Sequence, residues 1–273
     1  MAARVLLALL WLLTGQAAAL AQATEGDDAP LRFGRFEAEG QVRHGFLSVG
    51  GLHEIDRSYF APGAVTTGRV FPVESVRLLS PVEPRRVIGV ERRDGAAANA
   101  GPIVFAKLPS AVVGDRAAVI VPKGKAIEAE AEIAVVIART TRNVSEADAL
   151  SHVAGVTAAL DVSLAGTGSP PHLEATARDT FAPLGPFIVP GLYYDRLKMT
   201  ATVNGKPVQT GSGGGMIEPV AALVSRMSRL FTLEPGDVIL TGTPGRRFAL
   251  KAGDEVELAL EGVGTLTVTV RNE

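Results

Sequence analysis

Short runs of Val, Ile and Leu, separated by glycine and proline, recur along almost the whole chain, which contains 30 Gly and 17 Pro. Glycine and proline interrupt helices and occupy turns, whereas β-branched residues favour strands. Stretches with the period of an α-helix are few. The sequence therefore predicts a mostly β fold of the α+β class.

A small antiparallel β module is predicted for residues 31–79, ahead of the main body. The segments there are RFGRFEAEG, QVRHGFLSV, HEIDR and ESVRLLSPV, which alternate between apolar and polar residues or are bounded by turns. Alternation with a period of two is typical of strands buried on one face. We expect His44 and His53 to lie on these strands.

Helical patterns occur in two places. Residues 145–159 begin with Ser145 as an N-cap, followed three positions later by Asp148, which resembles a capping box. Residues 216–231 repeat apolar side chains at helical spacing, including two methionines that we assign to the core. Both segments predict helices that cover a sheet, and the remaining C-terminal sequence predicts three or four strands joined by turns.

The N-terminus has the layout of a secretory signal: one cation at Arg4, the apolar run Val5–Leu13, then small residues that end at Ala23. The alternative is a retained anchor, but the run is far shorter than the roughly 20 residues of a spanning helix. A single arginine favours the general export route. We therefore expect cleavage after Ala23, no stable membrane anchor afterwards, and a periplasmic or secreted protein.

Composition excludes several kinds of site. The chain has no cysteine, so disulfides, thiolate metal ligands and a thiol nucleophile are absent. Its four histidines never have the i, i+4 spacing that argues for a zinc-hydrolase helix. Without the leader, which carries only Arg4, 26 Lys and Arg face 29 Asp and Glu, and a net charge of −3 argues against nucleic acid as a partner.

The run KAIEAEAEIAVVIA, residues 125–138, carries the strongest chemical signal. Glu128, Glu130 and Glu132 occupy every second position, so a strand would place all three carboxylates on one face. Such carboxylates repel each other unless water screens them or a cation lies among them, and Mg²⁺ prefers oxygen ligands. The alternative is a solvated strand edge or the start of a surface helix. The apolar run that follows instead indicates a strand entering the core.

A fourth carboxylate, Asp161, lies in TAALDVSLAG, just after the first predicted helix and at the start of a predicted strand. Together with Glu130 and Glu132 it could form half of an oxygen shell around one ion, leaving the other positions for water and substrate. The alternative for Asp161 alone is a residue of a helix-to-strand turn.

Several ordered stretches resemble the fumarylacetoacetate hydrolase family, from about Leu31 to Thr269. These stretches are EAEAEIAVVIA, NVSEADALSHVAGVTAALDVS, DTFAPLGPFIV, VNGKPVQTG, LFTLEPGDVILTGTP and KAGDEVELALEGVGTL. The resemblance implies a coiled, mixed β-sheet or β-barrel-like core with a few covering helices, usually in a homodimer. After the predicted signal peptide at 1–23, it implies an N-terminal module at 24–80 and a catalytic domain at 81–273.

The resemblance also implies a site. In the family, a Glu-x-Glu pair and a later aspartate hold Mg²⁺ or Mn²⁺, and Glu130, Glu132 and Asp161 match these ligands. Members cleave β-diketo acids such as acylpyruvates, or decarboxylate, hydrate or isomerise small 2-oxo acids, through a metal-chelated enolate. The ion neutralises charge that develops on the carbonyl oxygen.

Further family positions concern substrate binding and catalysis. Thr243 and the backbone around Gly242, in TGTP, resemble the family's carboxylate-binding turn, the alternative being a plain strand-ending turn. Lys107 matches a family lysine and Ser110 follows it as expected, although Lys107 could also be a surface lysine at a strand end. The resemblance makes Lys107 and Thr243 the catalytic candidates.

Two departures from the family pattern matter. Gly95 stands where the family usually has a lid histidine that activates water, and Thr176 stands where it has a substrate-binding lysine. Arg178 could supply the lost positive charge if its loop is rearranged, and His172 or Glu91 could replace the lost base. If water activation is impaired, decarboxylation or keto–enol isomerisation is favoured, because neither requires hydrolytic water.

Three functional hypotheses follow. The first is a metal-dependent hydrolase or lyase of this family that acts on a small 2-oxo or β-diketo acid. The second, motivated by Gly95 and Thr176, is a catalytically degenerate relative that binds a metal and a carboxylate ligand without turnover. The third is a purely structural exported β protein, which leaves the three carboxylates unexplained.

Overall fold

A computed structural model describes residues 30–92, 101–168, 172–192, 194–243 and 245–273. The predicted leader and Gly95 lie outside the described residues.

Strands dominate the described residues. They are β1 Arg32–Ala38, β2 Gln41–Ser48, β3 Gly51–Ile55, β4 Thr66–Phe71, β5 Arg77–Leu78, β6 Val87–Glu91, β7 Ile103–Lys107, β8 Val112–Val113, β9 Ala118–Val121, β10 Ile127–Ile137, β11 Val153–Leu164, β12 Ala182–Val189, β13 Lys198–Val203, β14 Lys206–Ser212, β15 Val238–Leu240, β16 Phe248–Leu250, β17 Glu255–Leu260 and β18 Gly264–Asn272.

Helices are short by comparison. The α-helices are α1 Glu146–Ala149, α2 Leu173–Thr176 and α3 Val220–Leu230, and 3₁₀ turns occur at Val73–Ser75, Pro109–Ala111, Leu150–His152, Tyr194–Arg196 and Gly213–Gly215. In the described part of the chain, none of them has the length and apolar character that a membrane span requires.

The strands form two sheets. The larger has 13 strands in the order β4-β3-β2-β1-β12-β11-β10-β15-β6-β7, with β5, β8 and β16 attached at its branches. The smaller has five strands in the order β14-β13-β17-β18-β9. Both are mixed, because β6–β15, β8–β12 and β9–β18 are parallel pairs among antiparallel ones. The prediction of a mostly β fold with mixed sheets and few covering helices is confirmed.

The N-terminal strands β1 to β4 form an antiparallel meander that carries His44 on β2 and His53 on β3, as expected. This meander is continuous with the rest of the larger sheet, because β1 pairs with β12 at Phe33 and Ile188. The proposed boundary near residue 80 therefore does not interrupt the sheet.

Strand β10 lies in the interior with both faces covered. Ile133, Val135 and Ile137 belong to one apolar cluster, whereas Ala134 and Val136 point into a second. A strand buried on both sides carries a continuous apolar run. This accounts for the AVVIA sequence and confirms that the strand enters the core.

The helix predicted over 145–159 is largely wrong. Ser145 is an N-cap, since its Oγ accepts the N–H of Asp148 at 3.2 Å, but α1 ends at Ala149 and β11 begins at Val153. Strand β11 pairs with β10 on one side and with β12 on the other. Backbone hydrogen bonds to two neighbours, together with β-branched residues, outweigh the weak helical period.

The second predicted helix is confirmed, with a later start. Pro219 is the N-cap of α3, with φ −55° and ψ 146°. The residue before a proline is disfavoured in helical conformation, which explains the later start. Met216 and Met227 are both buried, as expected. The four strands β15 to β18 follow, in agreement with the prediction of three or four.

Candidate metal centre and its pocket

Strands β10 and β11 bring three carboxylates together. In the antiparallel register Glu130 is the direct partner of Asp161, and Glu132 lies two residues further along the same face of β10. The ligand oxygens of the three side chains lie within 4.8 Å of one another. Glu132 and Asp161 are buried, with only 2% and 4% of their surface exposed. The three residues predicted as metal ligands therefore meet, although Asp161 lies within a long strand rather than at its start.

Burial and mutual repulsion disfavour full ionisation of this group. Burial, followed by the negative charge of Asp161, raises the pKa of Glu130 to about 7 against the opposing effect of Arg247. Burial, then Asp161 and Glu130, raise the pKa of Glu132 well above its usual value. A divalent cation among the oxygens would remove that penalty. The donor set, all oxygen and partly closed, fits a hard ion such as Mg²⁺ or Mn²⁺.

Each of the three carboxylates is held by a protein donor on one oxygen. Among the described residues no donor is assigned to the other oxygen, which leaves one oxygen of each group for an ion. The donor pairs are Gly242 N–H to Glu132 Oε2 at 2.7 Å, Lys107 Nζ to Asp161 Oδ1 at 2.6 Å, and Arg247 Nε to Glu130 Oε2 at 3.1 Å. Such supporting contacts fix the orientation of metal ligands.

Lys107 supports Asp161 from within the core and is not a surface lysine. It is 2% exposed, and its Nζ also donates to the carbonyl oxygens of Val162 and Phe181 and to both oxygens of Thr176. Burial lowers its pKa, whereas the charge of Asp161 opposes that shift. Lys107 does not line the pocket in front of the triad. Its contacts assign it a positioning role, not a direct contact with substrate.

A cavity of about 170 Å³ opens in front of the triad. Its wall includes Glu91, Arg92, Phe105, Ile217 and Thr243. The volume suits a small molecule, and the wall combines an apolar side with charged and hydroxyl groups.

Thr243 lines this cavity and is fixed to β10. Its Oγ1 donates to the carbonyl oxygen of Ala131 at 3.1 Å and accepts from Gln209 Nε2 at 2.6 Å. Gln209 in turn binds both the N–H and the carbonyl oxygen of Ala131, at 3.1 and 2.9 Å. Sequence reasoning assigned Gln209 no role, although it lies in the quoted segment VNGKPVQTG.

The expectation for Gly242 needs a correction. Its N–H is committed to Glu132, so it is not free to bind a substrate carboxylate. A glycine is required there because φ is +79° and a Cβ would collide with the side chain of Ile217. Gly242 therefore positions a predicted metal ligand.

Arg247 is the main residue that sequence reasoning missed. Its guanidinium contacts Glu91, Glu128 and Glu130, so two of the three alternating glutamates are balanced by an arginine. Their alternation did signal that a cation was needed. No local spacing indicated Arg247, because it lies 117 residues from Glu130.

Other predicted site residues lie elsewhere. Ser110 is exposed on a 3₁₀ turn and does not line the cavity. Arg178 donates from Nε to the carbonyl oxygen of Glu174 at 2.8 Å and lines a separate surface cavity. Of the two suggested replacement bases, His172 is exposed away from the cavity, whereas Glu91 lines it.

Comparison with known proteins agrees with this geometry. Residues 83–271 match the family described as "Fumarylacetoacetate (FAA) hydrolase C-terminal", and residues 31–81 match "Rv2993c-like, N-terminal". The chain is 34% identical over 234 residues to a fumarylacetoacetate hydrolase domain-containing protein 2 homolog of Dictyostelium discoideum, covering 74% of this chain and 77% of that protein. It is also 34% identical over 220 residues to the mitochondrial oxaloacetate tautomerase FAHD2A of Homo sapiens, covering 72% and 70%.

A solved structure shares the fold. The crystal structure of 2-hydroxyhepta-2,4-diene-1,7-dioate isomerase from Mycobacterium marinum superposes with a TM-score of 0.82 at 33% identity, over 89% of this chain and 99% of that one. With a family match over more than half of its length and these relatives, the chain belongs to the fumarylacetoacetate hydrolase family.

Proposed function

We propose that this protein is a metal-dependent enzyme that interconverts the keto and enol forms of a small 2-oxo acid. The observation that carries the proposal is the triad of Glu130, Glu132 and Asp161, held in the wall of a cavity of about 170 Å³. When bound there, Mg²⁺ or Mn²⁺ would stabilise negative charge on the substrate oxygen as the neighbouring C–H loses its proton.

The chain's own residues supply the other requirements. Thr243 lines the cavity, and its hydroxyl donates to Ala131 O; because Gln209 Nε2 also binds that carbonyl, the hydroxyl proton can turn from it to a substrate carboxylate. Glu91 lines the cavity with one oxygen held by Arg247, while its Oε2 is buried with no hydrogen-bond partner among the described residues. Glu91 Oε2 is therefore the group that accepts the proton from carbon and returns it to the product.

Tautomerisation is favoured over hydrolysis because it needs no activated water. None of the described residues that line the cavity is a histidine, and the sequence resemblance predicts Gly95 where the family usually has its lid histidine. Two relatives are named as an oxaloacetate tautomerase and a dienedioate isomerase, and both names describe proton-transfer reactions of this class. Hydrolysis of the same acid would require a group that activates water.

The test begins with protein stripped by a chelator and reloaded with Mg²⁺ or Mn²⁺. We expect the loaded protein to accelerate the loss of the enol absorbance of oxaloacetate, and Glu130→Gln to lose that activity while it remains folded. Glu255→Gln, at an exposed position of β17, is the matched control and should keep full activity. Acylpyruvate cleavage, followed in parallel, identifies a hydrolase instead.

Calorimetric titration separates the enzyme from a degenerate relative. Oxalate, which mimics the planar enol of a 2-oxo acid, should bind only after the metal and should fail to bind Asp161→Asn. Binding of metal and oxalate without any turnover would identify a binding protein, and failure to bind metal at all would refute the metal-dependent mechanism.

Export and assembly remain predictions from the sequence. If residues 1–23 are removed during export, N-terminal sequencing of the mature protein will begin at Thr24. If the homodimer forms, light scattering will give twice the chain mass.

A further inference from the structure

Arg247 makes three ion pairs at once. Nη2 contacts Glu91 at 2.7 Å, Nη1 contacts Glu128 at 3.0 Å and Nε contacts Glu130 at 3.1 Å. The arginine side chain is 22% exposed and the three carboxylates are between 14% and 21% exposed. Each nitrogen of the guanidinium therefore serves a different carboxylate in a partly buried cluster.

The sheet explains how this cluster forms. Strand β16 pairs with β10 so that Ala249 faces Glu128 and Phe248 faces Ala129. One further step in the same antiparallel register sets Arg247 beside Glu130. Glu91 arrives from the end of β6, so the arginine joins two strands of the larger sheet at the edge of the cavity.

Glu130 belongs to both clusters. Its Oε2 accepts from Arg247, and a carboxylate oxygen of Glu130 also lies within the metal triad. A carboxylate shared between two cations is the arrangement of two-metal centres, in which the ions lie roughly 3.5–4 Å apart. In this protein the second cation beside the shared carboxylate is a guanidinium.

Charge makes the arginine necessary. Five carboxylates meet in the two clusters, and only Arg247 and Lys107 pair with them in the described residues. One divalent ion leaves this group with a residual charge of −1, whereas loss of Arg247 would leave −2 and three unpaired glutamates around one point. Hard divalent cations bind such groups of oxygens.

We propose that Arg247 is a built-in cation that takes the place of a second metal ion and confines the centre to one divalent ion per chain. Its ion pairs with Glu91 and Glu128 prevent these carboxylates from binding an ion. Its contact with one oxygen of Glu130 leaves the other oxygen of that carboxylate facing the triad. Arg247 is thus a positioning residue of the metal centre. The inference rests on the proposed function, because it presupposes an ion at the triad.

The experiment is calorimetric titration with Mn²⁺ on the full chain, supported by electron paramagnetic resonance. Wild-type protein should bind one ion, and Arg247→Met should bind two and show the spectrum of an exchange-coupled Mn²⁺ pair. Arg247→Lys keeps the charge and should bind one ion. Arg246→Met removes the same charge from the exposed neighbouring residue and should also bind one.

A further variant shows whether the second ion uses this cluster. Adding Glu128→Gln to Arg247→Met should return the stoichiometry from two ions to one. Should Arg247→Met not fold in chelator, saturating Mn²⁺ should restore its folding, since the ion replaces the lost charge.

The outcomes distinguish this inference from the proposed function. One ion on wild-type protein and one on Arg247→Met, at any affinity, would overturn the role of Arg247 and leave the metal centre intact. A second ion that persists without Glu128, or an Arg247→Met chain that stays unfolded in Mn²⁺, would overturn it as well. No ion on wild-type protein would overturn both.

Discussion

Replacing Lys107 by methionine removes the cation that compensates Asp161 inside the core. The two side chains are 0% and 4% exposed, and Nζ lies 2.6 Å from Oδ1. Without the lysine, the one side-chain hydrogen bond left to Asp161 among the described residues is a weak contact with the hydroxyl of Thr176 at 3.5 Å. Three carbonyl oxygens also lose the ammonium donor, although that of Phe181 keeps the N–H of Val162. Methionine fills much of the same volume, so the change isolates the charge and its hydrogen bonds.

The expected cost is large because a buried charge loses its partner. Breaking such a pair from one side typically costs about 3–5 kcal/mol. For a domain of this size each kcal/mol lowers Tm by about 2–4 °C, which gives a decrease of about 6–20 °C. A divalent ion at the triad would supply part of the missing charge, so the loss should be smaller in Mn²⁺ than in chelator.

Urea unfolding at pH 7.5, in chelator and in Mn²⁺, measures both effects. Lys198→Met, at an exposed position of β13, is the matched control and should change stability by no more than about 0.5 kcal/mol. In an Asp161→Asn background the same Lys107→Met change should cost much less, because the two residues interact directly. A cost below about 1 kcal/mol in chelator, or an equal cost in both backgrounds, would refute this account of the pair.

Three further predictions concern other parts of the molecule. Gln209→Met removes the acceptor of the Ala131 N–H and one of the donors to Ala131 O and to Thr243 Oγ1, so it should cost about 1–3 kcal/mol and raise KM for the oxo acid while calorimetry shows unchanged metal affinity. Glu132→Gln removes one of several repelling carboxylates; scanning calorimetry should show no loss of stability in chelator, but the rise in Tm on adding Mn²⁺ should disappear. Burial, followed by the charge of Arg35, lowers the pKa of His44, so the unfolded chain takes up the proton first as the pH falls. Neutral His44 therefore contributes to the free energy of unfolding above the unfolded pKa of about 6.5, and this contribution is lost as the pH falls below that value. In urea titrations, His44→Asn should lose less stability than wild type between pH 7.5 and 5.5.

The sequence was sufficient to predict the carboxylate triad because its signals are local. Alternation of Glu128, Glu130 and Glu132 defines one face of a strand, and the apolar run after them indicates burial. The partner strand could not be located in the same way. Asp161 was placed at the start of a strand, because the helical pattern of 145–159 concealed the first part of β11.

Pairing between strands that are distant in sequence explains where else the predictions and the structure differ. The helical period before Asp161 is real only as far as Ala149, after which hydrogen bonds to β10 and β12 determine the backbone. The contact between Arg247 and Glu130 likewise depends on the register of β16 against β10, which no local pattern encodes. Residues that support a site from distant strands are therefore those that a single sequence reveals least.

Thr176 shows why a departure from a family pattern has to be interpreted together with its neighbours. The resemblance implies a lysine at this position, so its absence indicated a lost substrate-binding charge. In the structure Thr176 is 1% exposed, and its carbonyl and hydroxyl oxygens accept from Lys107 Nζ at 2.7 and 2.8 Å. A lysine there would bring a second ammonium group into a buried place whose acceptors are already occupied, with like-charge repulsion and desolvation against it. Restoring that lysine alone should therefore destabilise the chain rather than recover activity, because it removes the hydroxyl that accepts from Lys107 and places a second ammonium group beside it.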